Sequence, residues 1–202
     1  MKSNVCKLSK GIKESHELGF MLDEVEKVAA YNELEKKDAS TLRLLAEEVI
    51  SMLPELLSFS NGDFWVENDK NNYELHVKIF PDEKITSFKE EELLKISSKG
   101  KNEAGHGIMN KIRLTIQMML TDYKAVMNEV PVEMETFYEM GTVNISAYQA
   151  ASWSLDAYKE KAQTNKNKDW DELEKSIIAN IADDVLVSAQ NKEVEIIIKK
   201  SF

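Results

Sequence analysis

A Gly-x-Gly segment in the middle of the chain is the clearest candidate for binding chemistry. Gly105, His106 and Gly107 stand directly before apolar residues that are spaced as in a helix. Glycine lets backbone amides approach a phosphate closely, and the amides at a helix N-terminus carry positive partial charge. His106 is placed for phosphate contact or phosphoacceptor chemistry, although an exposed loop histidine is the commoner finding. The segment indicates either an anion site or a flexible turn that starts a helix.

Other polar groups lack the spacing of known catalytic or metal sites. The carboxylates of Glu90–Glu92 and Asp169–Glu174 do not follow the calcium-loop pattern, and solvated helix faces explain them better. His16 and His76 are too far apart in sequence for a ligand motif, and Cys6 has no obvious partner. We therefore predict no metal site from the sequence, and no serine nucleophile with a catalytic triad.

Periodic apolar residues predict two amphipathic helices near the N-terminus. The first begins at about His16 and places its apolar residues three and four positions apart. The second takes Asp38 or Ser40 as its N-cap and runs to Pro54, which lacks a backbone donor and so ends or kinks the helix. Beyond the proline, the apolar residues up to Phe59 can add one more turn.

Alternating apolar and polar residues predict two β-hairpins, one in each half of the chain. The first joins strands at 64–67 and 73–80, and the second joins strands at 185–188 and 194–199. Hairpins on both sides of a mainly helical segment at about 131–183 favour one sheet over two domains. The expected fold is α/β, a two-layer sandwich in which a mixed sheet is covered by helices on one face.

The order of these elements resembles the GHKL superfamily, the ATP-binding fold of sensor histidine kinases, gyrase subunits and anti-sigma-factor serine kinases. Residues 42–50, which include Glu48, look like the helix that holds the family's Glu-x-x-x-Asn box. Residues 104–109 look like its Gly-x-Gly lid, and the strand at 194–199 looks like its last strand. The resemblance thus joins the helix, the glycines and the final hairpin in one ATPase-like unit.

The resemblance implies a single domain over residues 1–202 with an internal division. Residues 15–127 and 183–200 would form the ATPase-like core, and residues 128–182 would form a helical insertion. Aromatic residues in the insertion can anchor a partner, although their helix-like spacing favours packing in the core. These residues are Tyr148, Trp153 and Tyr158.

The resemblance also implies where a nucleotide would bind. Glu48 would be the catalytic glutamate that orients water or a hydroxyl group during phosphoryl transfer. The residues that would line the nucleotide pocket are Ser51, Asp82, Gly105, His106 and Gly107. The implied cofactor is ATP with magnesium, if binding survives at all.

Two positions depart from the family pattern. The magnesium-binding asparagine is replaced by Met52, or by Ser51 if Glu47 is the glutamate of the box. A thioether prefers soft metals and a hydroxyl is a weaker ligand, so the magnesium site is degraded. Asp82 follows its strand without the glycine that accompanies the family's adenine-binding aspartate.

Charge and composition narrow the classes of partner. The chain has 26 basic and 36 acidic residues and a net charge of −10, which opposes attraction to nucleic acid or to an anionic membrane. A single cysteine excludes an internal disulfide. No stretch has the apolar length of a signal peptide or a membrane span, so a cytoplasmic location is expected.

These observations predict a bacterial-type regulatory protein on a degenerate histidine-kinase-like ATP-binding fold. It would bind nucleotide weakly or not at all and would act through a regulatory protein partner. Two alternatives remain: a non-enzymatic interaction module that uses the helical insertion, and an active ATP-dependent serine kinase. The missing asparagine argues against enzymatic activity, and a homodimer is compatible with each hypothesis.

Overall fold

The computed structural model describes residues 1–9, 17–82, 112–113, 115–116, 119–120, 142–143, 152–165, 176–190 and 193–202. Within them the elements in chain order are β1 (Cys6–Ser9), α1 (Glu17–Tyr31), α2 (Lys36–Leu56), β2 (Phe59–Asp69), β3 (Asn72–Pro81), β4 (Thr142–Val143), β5 (Ser152–Ser154), α3 (Leu155–Asn165), α4 (Ile177–Ile181), β6 (Asp184–Gln190) and β7 (Glu193–Ser201). Residues 112–113, 115–116 and 119–120 are also helical, which agrees with the helix expected after the Gly-x-Gly segment.

Helix α1 confirms the first predicted amphipathic helix. It begins one residue after His16, and its apolar stripe is buried against α2 and the first two strands. The buried apolar residues of the stripe are Met21, Leu22, Val25, Val28 and Ala29. The three- and four-residue spacing therefore identified the side of α1 that enters the core.

Helix α2 begins earlier than the sequence predicted. It starts at Lys36, and Glu35 in the N-cap position makes no capping hydrogen bond through its side chain. Asp38 and Ser40, the predicted caps, lie inside the helix, where the Ser40 hydroxyl donates to the carbonyl oxygen of Lys36 at 2.8 Å. The predicted N-cap is thus wrong, because the serine hydroxyl bonds backward within the helix.

Helix α2 passes through Pro54 and ends shortly after it. The proline lies inside the helix, which continues to Leu56. The proline removes one intrahelical hydrogen bond, the one that its amide would have donated to the carbonyl oxygen of Ile50, and the helix ends two residues later. The predicted extra turn up to Phe59 is wrong, since Phe59 already begins β2.

The strands form one seven-stranded sheet with the order β1-β2-β3-β7-β6-β5-β4. Both predicted hairpins are present as β2–β3 and β6–β7, and the pairing of β3 with β7 joins them. The prediction of a single sheet is confirmed. The predicted mixed sheet is wrong, because every pairing among the described strands is antiparallel. The two hairpins make β2 antiparallel to β3 and β6 antiparallel to β7, and the antiparallel pairing of β3 with β7 continues the same alternation across the sheet.

The predicted helical insertion, residues 128–182, contributes strands to the sheet. Strand β5 pairs with β6, and β4 pairs with β5. A mainly helical segment is therefore wrong at 142–143 and at 152–154, although α3 and α4 are helical. Trp153 and Tyr158 are both buried, which confirms core packing over partner binding for these two aromatic residues. Tyr148 lies outside the described residues.

In the described part of the chain, one apolar core lies between the sheet and the helices, so the fold is a two-layer α/β arrangement. Alternate strand residues point into this core and form the inner face of the sheet. On β2, β3 and β7 the buried inner-face residues include Phe64, Val66, Leu75, Val77, Ile79, Val194, Ile196 and Ile198. Among the described residues, no helix combines the length and the hydropathy needed to cross a membrane.

Candidate functional site

The predicted catalytic helix uses its key positions for packing and for its own backbone. Glu48 is half-buried in α2, and the Ser51 hydroxyl donates to the carbonyl oxygen of Glu48 at 2.9 Å. Met52, which replaces the magnesium-binding asparagine of the resembled family, is only 6% exposed and belongs to the apolar core. The helix therefore presents a thioether to the core where a magnesium site would need an oxygen ligand.

Asp82 lies at the end of β3, beside the connection between α2 and β2. Its carboxylate accepts a hydrogen bond from the Ser58 hydroxyl at 2.7 Å, and its backbone amide donates to the Ser58 carbonyl oxygen at 3.1 Å. These two bonds fasten the strand end to the helix exit. The other predicted pocket residues, Gly105, His106 and Gly107, lie outside the described residues.

The opposite side of the sheet carries a denser set of chemically active groups. We call this side the outer face, and its central row consists of Trp65, His76, Ile197 and Leu186 on four adjacent strands. Charged residues flank the central row, two residues away along each strand. They are Asp63 and Glu67 on β2, Glu74 and Lys78 on β3, and Glu195 and Lys199 on β7.

Trp65 and His76 stack on each other at the centre of the outer face. Their ring centroids lie 4.8 Å apart with an interplanar angle of 6°. The indole nitrogen of Trp65 donates to Glu67 Oε1 at 2.8 Å, and Lys2 Nζ lies 4.2 Å from the centroid of the Trp65 ring. These contacts leave the whole His76 residue only 7% exposed, although it points away from the core.

One carboxylate faces each ring nitrogen of His76, and a third carboxylate lies close by. His76 Nε2 lies 3.3 Å from Glu74 Oε2, and His76 Nδ1 lies 3.6 Å from Glu195 Oε1. Taking one possible metal-ligand atom from each residue, a carboxylate oxygen of Glu67 and of Glu74 and a ring nitrogen of His76, the three atoms all lie within 4.8 Å of one another. Within the described part of the chain, neither ring nitrogen of His76 makes a hydrogen bond. A buried imidazole thus faces carboxylates without a directional bond to any of them.

Lysines compensate the negative charge of the outer face. Lys2 Nζ lies 3.0 Å from Glu67 Oε1, and Lys199 Nζ lies 3.7 Å from Glu74 Oε1. The hydrogen bond from Lys2, followed by the one from Trp65, holds the pKa of Glu67 below its usual range. The Glu67 side chain is therefore a carboxylate at neutral pH and remains an acceptor or a metal ligand.

This cluster was not predicted from the sequence, because its residues do not follow the spacing of a metal-binding or catalytic motif. Glu67 and Glu74 are brought opposite each other by the hairpin register, and His76 follows Glu74 by two residues on the same face. The turn at Lys70 and Asn71 contains one left-handed residue, Lys70, with φ 57°. A two-residue turn at this place would have identified the Glu67–Glu74 pair from the sequence alone.

Comparison with protein-family models, with curated proteins and with solved structures finds no match for this chain. Function is therefore inferred from the side chains of the outer face and of helix α2. The outer face brings aromatic, acidic and imidazole groups together at one place. Helix α2 offers Glu48, a half-buried glutamate next to core residues.

Proposed function

We propose that this chain is a non-catalytic regulatory protein that acts by binding a basic protein partner through its outer face. The observation that carries the proposal is Trp65, a half-buried tryptophan at the centre of a charged surface. Tryptophan is enriched among residues that dominate binding energy, and such residues stand at interface centres within a polar rim. The outer face has this arrangement of an aromatic centre and charged surroundings.

The charged surroundings of Trp65 include ion pairs that are partly open to solvent and that a partner can exchange for its own charges. Lys7 pairs with Asp63 at 2.6 Å, and Lys78 pairs with Glu193 at 2.5 Å, which raises the pKa of Lys78. Ion pairs at the protein surface contribute little to stability, so replacing one member by a partner's lysine or arginine has a small cost.

The charge balance favours a partner with a basic surface. The chain carries a net charge of −10, and attraction between opposite charges accelerates encounter and aligns the two surfaces. On the outer face the carboxylates of Asp63, Glu67, Glu74, Glu193 and Glu195 stand with the lysines Lys2, Lys7, Lys78 and Lys199, which leaves a slight acidic excess among these residues. We expect association to weaken as salt concentration rises.

Helix α2 supports the loss of nucleotide chemistry rather than kinase activity. Ser51 bonds to its own helix and Met52 is buried, so neither is placed as a magnesium ligand. We expect calorimetric titration with ATP or ADP, with and without magnesium, to give no binding heat up to millimolar nucleotide. Micromolar, magnesium-dependent binding that disappears in a Gly105→Ala, Gly107→Ala double variant would contradict this expectation and restore the ATP-dependent kinase hypothesis.

Photocrosslinking tests the proposed binding surface. A photoreactive residue at Phe80, which is 38% exposed on the outer face, is expected to capture a partner from an extract of the source cells. The same residue at Phe20, 66% exposed on α1, serves as the control position. The captured protein is then purified, and its affinity for the unmodified chain is measured by calorimetry.

Affinity measurements with the purified partner test whether it binds the outer face or another surface of the chain. We expect Trp65→Ala to weaken its binding at least about tenfold, the loss typical of a central aromatic residue, and Phe20→Ala to leave it unchanged. Binding that is insensitive to Trp65→Ala, or a partner that crosslinks from Phe20 and not from Phe80, would show that the outer face is not the binding surface.

A further inference from the structure

We propose that Glu67, Glu74 and His76 form a binding site for one divalent transition-metal ion on the outer face of the sheet. The two carboxylates and one imidazole nitrogen supply three ligands, and water supplies the remaining positions. The site stands independently of partner binding, because the metal ion alone is the ligand.

The distances between the donor atoms suit a shared ion. Two ligands at about 2.1 Å from a tetrahedral zinc ion are roughly 3.4 Å apart. Glu74 Oε2 and His76 Nε2 are 3.3 Å apart, and the donor atoms of all three residues lie within 4.8 Å of one another. The largest of these separations exceeds that of two ligands on one ion, so the half-exposed Glu67 side chain has to move closer to complete the set.

Two features of the ion-free surface are unfavourable, and a metal ion would remove both. Glu67 and Glu74 are directly opposite each other on paired strands, where like charges repel. His76 is more than nine-tenths buried, and within the described residues its two nitrogens are without hydrogen bonds. A cation between the carboxylates would remove the repulsion and would bond the unpaired imidazole nitrogen.

The ligand set selects the class of ion. Magnesium and calcium prefer oxygen ligands throughout, whereas zinc and its neighbours accept an imidazole together with carboxylates. Glu195 Oε1 lies 3.6 Å from His76 Nδ1, on the side of the ring away from Glu74. A carboxylate at that place is the usual outer partner of a metal-bound histidine, because it leaves Nε2 free for the metal. Glu195 is therefore a positioning residue.

In the absence of the ion, lysine ammonium groups lie beside the carboxylates of Glu67 and Glu74. Lys2 Nζ contacts Glu67 at 3.0 Å and Lys199 Nζ approaches Glu74 at 3.7 Å, so a bound cation must displace both ammonium groups. Removing the Lys2 ammonium takes away a competitor for Glu67. We therefore expect Lys2→Met to bind the ion several-fold more tightly, an effect opposite in sign to damage of the fold.

Calorimetry with Zn²⁺ on the full chain tests the site, and the visible spectrum of bound Co²⁺ reports its geometry. We expect one ion per chain, at least tenfold weaker binding in Glu67→Gln and in Glu74→Gln, and no binding of Mg²⁺ at the same concentration. Glu193→Gln is the matched control, since Glu193 pairs with Lys78 on the same face but outside the cluster. Circular dichroism verifies that each variant is folded.

Nitrogen NMR of the His76 imidazole distinguishes a positioning role of Glu195 from a general loss of structure in a Glu195 variant. The chemical shifts are expected to show a proton on His76 Nδ1 in the ion-free protein, and Glu195→Gln is expected to shift the tautomer and to weaken Zn²⁺ binding. The proposal is overturned if no Zn²⁺ binds up to millimolar concentration. It is equally overturned if Zn²⁺ binding is the same in Glu67→Gln, Glu74→Gln and Glu193→Gln, because the ion then lies elsewhere.

Discussion

Replacement of Trp153 by alanine is expected to lower the free energy of unfolding by about 3–5 kcal/mol. Trp153 is fully buried in β5, opposite Val187 of β6, and its ring centroid lies 6.0 Å from that of Tyr158. Removal of the indole leaves a cavity between the sheet and α3 that neighbouring side chains fill only in part. Equilibrium unfolding in urea, followed by circular dichroism, measures the loss.

The same measurement on Tyr31→Ala provides the control. Tyr31 is 75% exposed at the end of α1, so its replacement is expected to change the unfolding free energy by no more than about 0.5 kcal/mol. If Trp153→Ala were as mild as Tyr31→Ala, β5 and α3 would not share the core with the rest of the sheet. The segment would then pack independently of the core, contrary to its pairing with β6.

Two glycines are expected to respond to alanine in opposite directions. An ideal Cβ at Gly62 would lie 2.5 Å from the carbonyl oxygen of Lys78 and 2.9 Å from Cγ2 of Ile79, whereas at Gly19 nothing lies within 4 Å. Gly62→Ala must displace the backbone of β3 and is expected to cost about 1–3 kcal/mol. Gly19→Ala lies in an exposed part of α1 and is expected to stabilise the protein by about 0.5–1 kcal/mol.

Both variants can be compared in one set of thermal and urea unfolding curves. Opposite signs of the two changes in unfolding free energy would show that the effect of Gly62→Ala comes from the close approach of β2 and β3. The general effect of replacing glycine, which acts through the unfolded chain, has the same sign at both positions. If Gly62→Ala matched Gly19→Ala in sign, β2 and β3 would not be in the register that pairs Gly62 with Ile79. The opposition of Glu67 and Glu74, which depends on that register, would then be lost as well.

The helices and hairpins that were predicted share one property, a long and regular apolar period. In α1 the period of 3.6 residues persists over four turns, and in β3 and β7 the period of two persists over most of each strand. The short elements lacked such a period. Strand β1 spans four residues and β5 only three, so pairing with longer neighbours determines their conformation.

Like the short strands, the candidate site is not predicted by a local sequence pattern. Motif comparison directed attention to Glu48, whose helix the structure shows packed through Met52 into the core. The cluster of Glu67, Glu74 and His76 has no spacing that a motif would record, because the β2–β3 register and not the sequence interval brings its members together. Its third carboxylate, Glu195, comes from β7, more than a hundred residues away along the chain.

The amino-acid sequence by itself determined the two long helices, the two hairpins and the acidic balance of the chain, because each of these depends on local periodicity or on composition. Only the tertiary structure decided the antiparallel order of the strands and the entry of residues 142–143 and 152–154 into the sheet. It also decided the meeting of His76 with Glu67 of β2 and Glu195 of β7, the two neighbouring strands. The physical reason is that strand pairing joins distant segments through backbone hydrogen bonds, which any sequence can make, and burial of the inner face then selects the register.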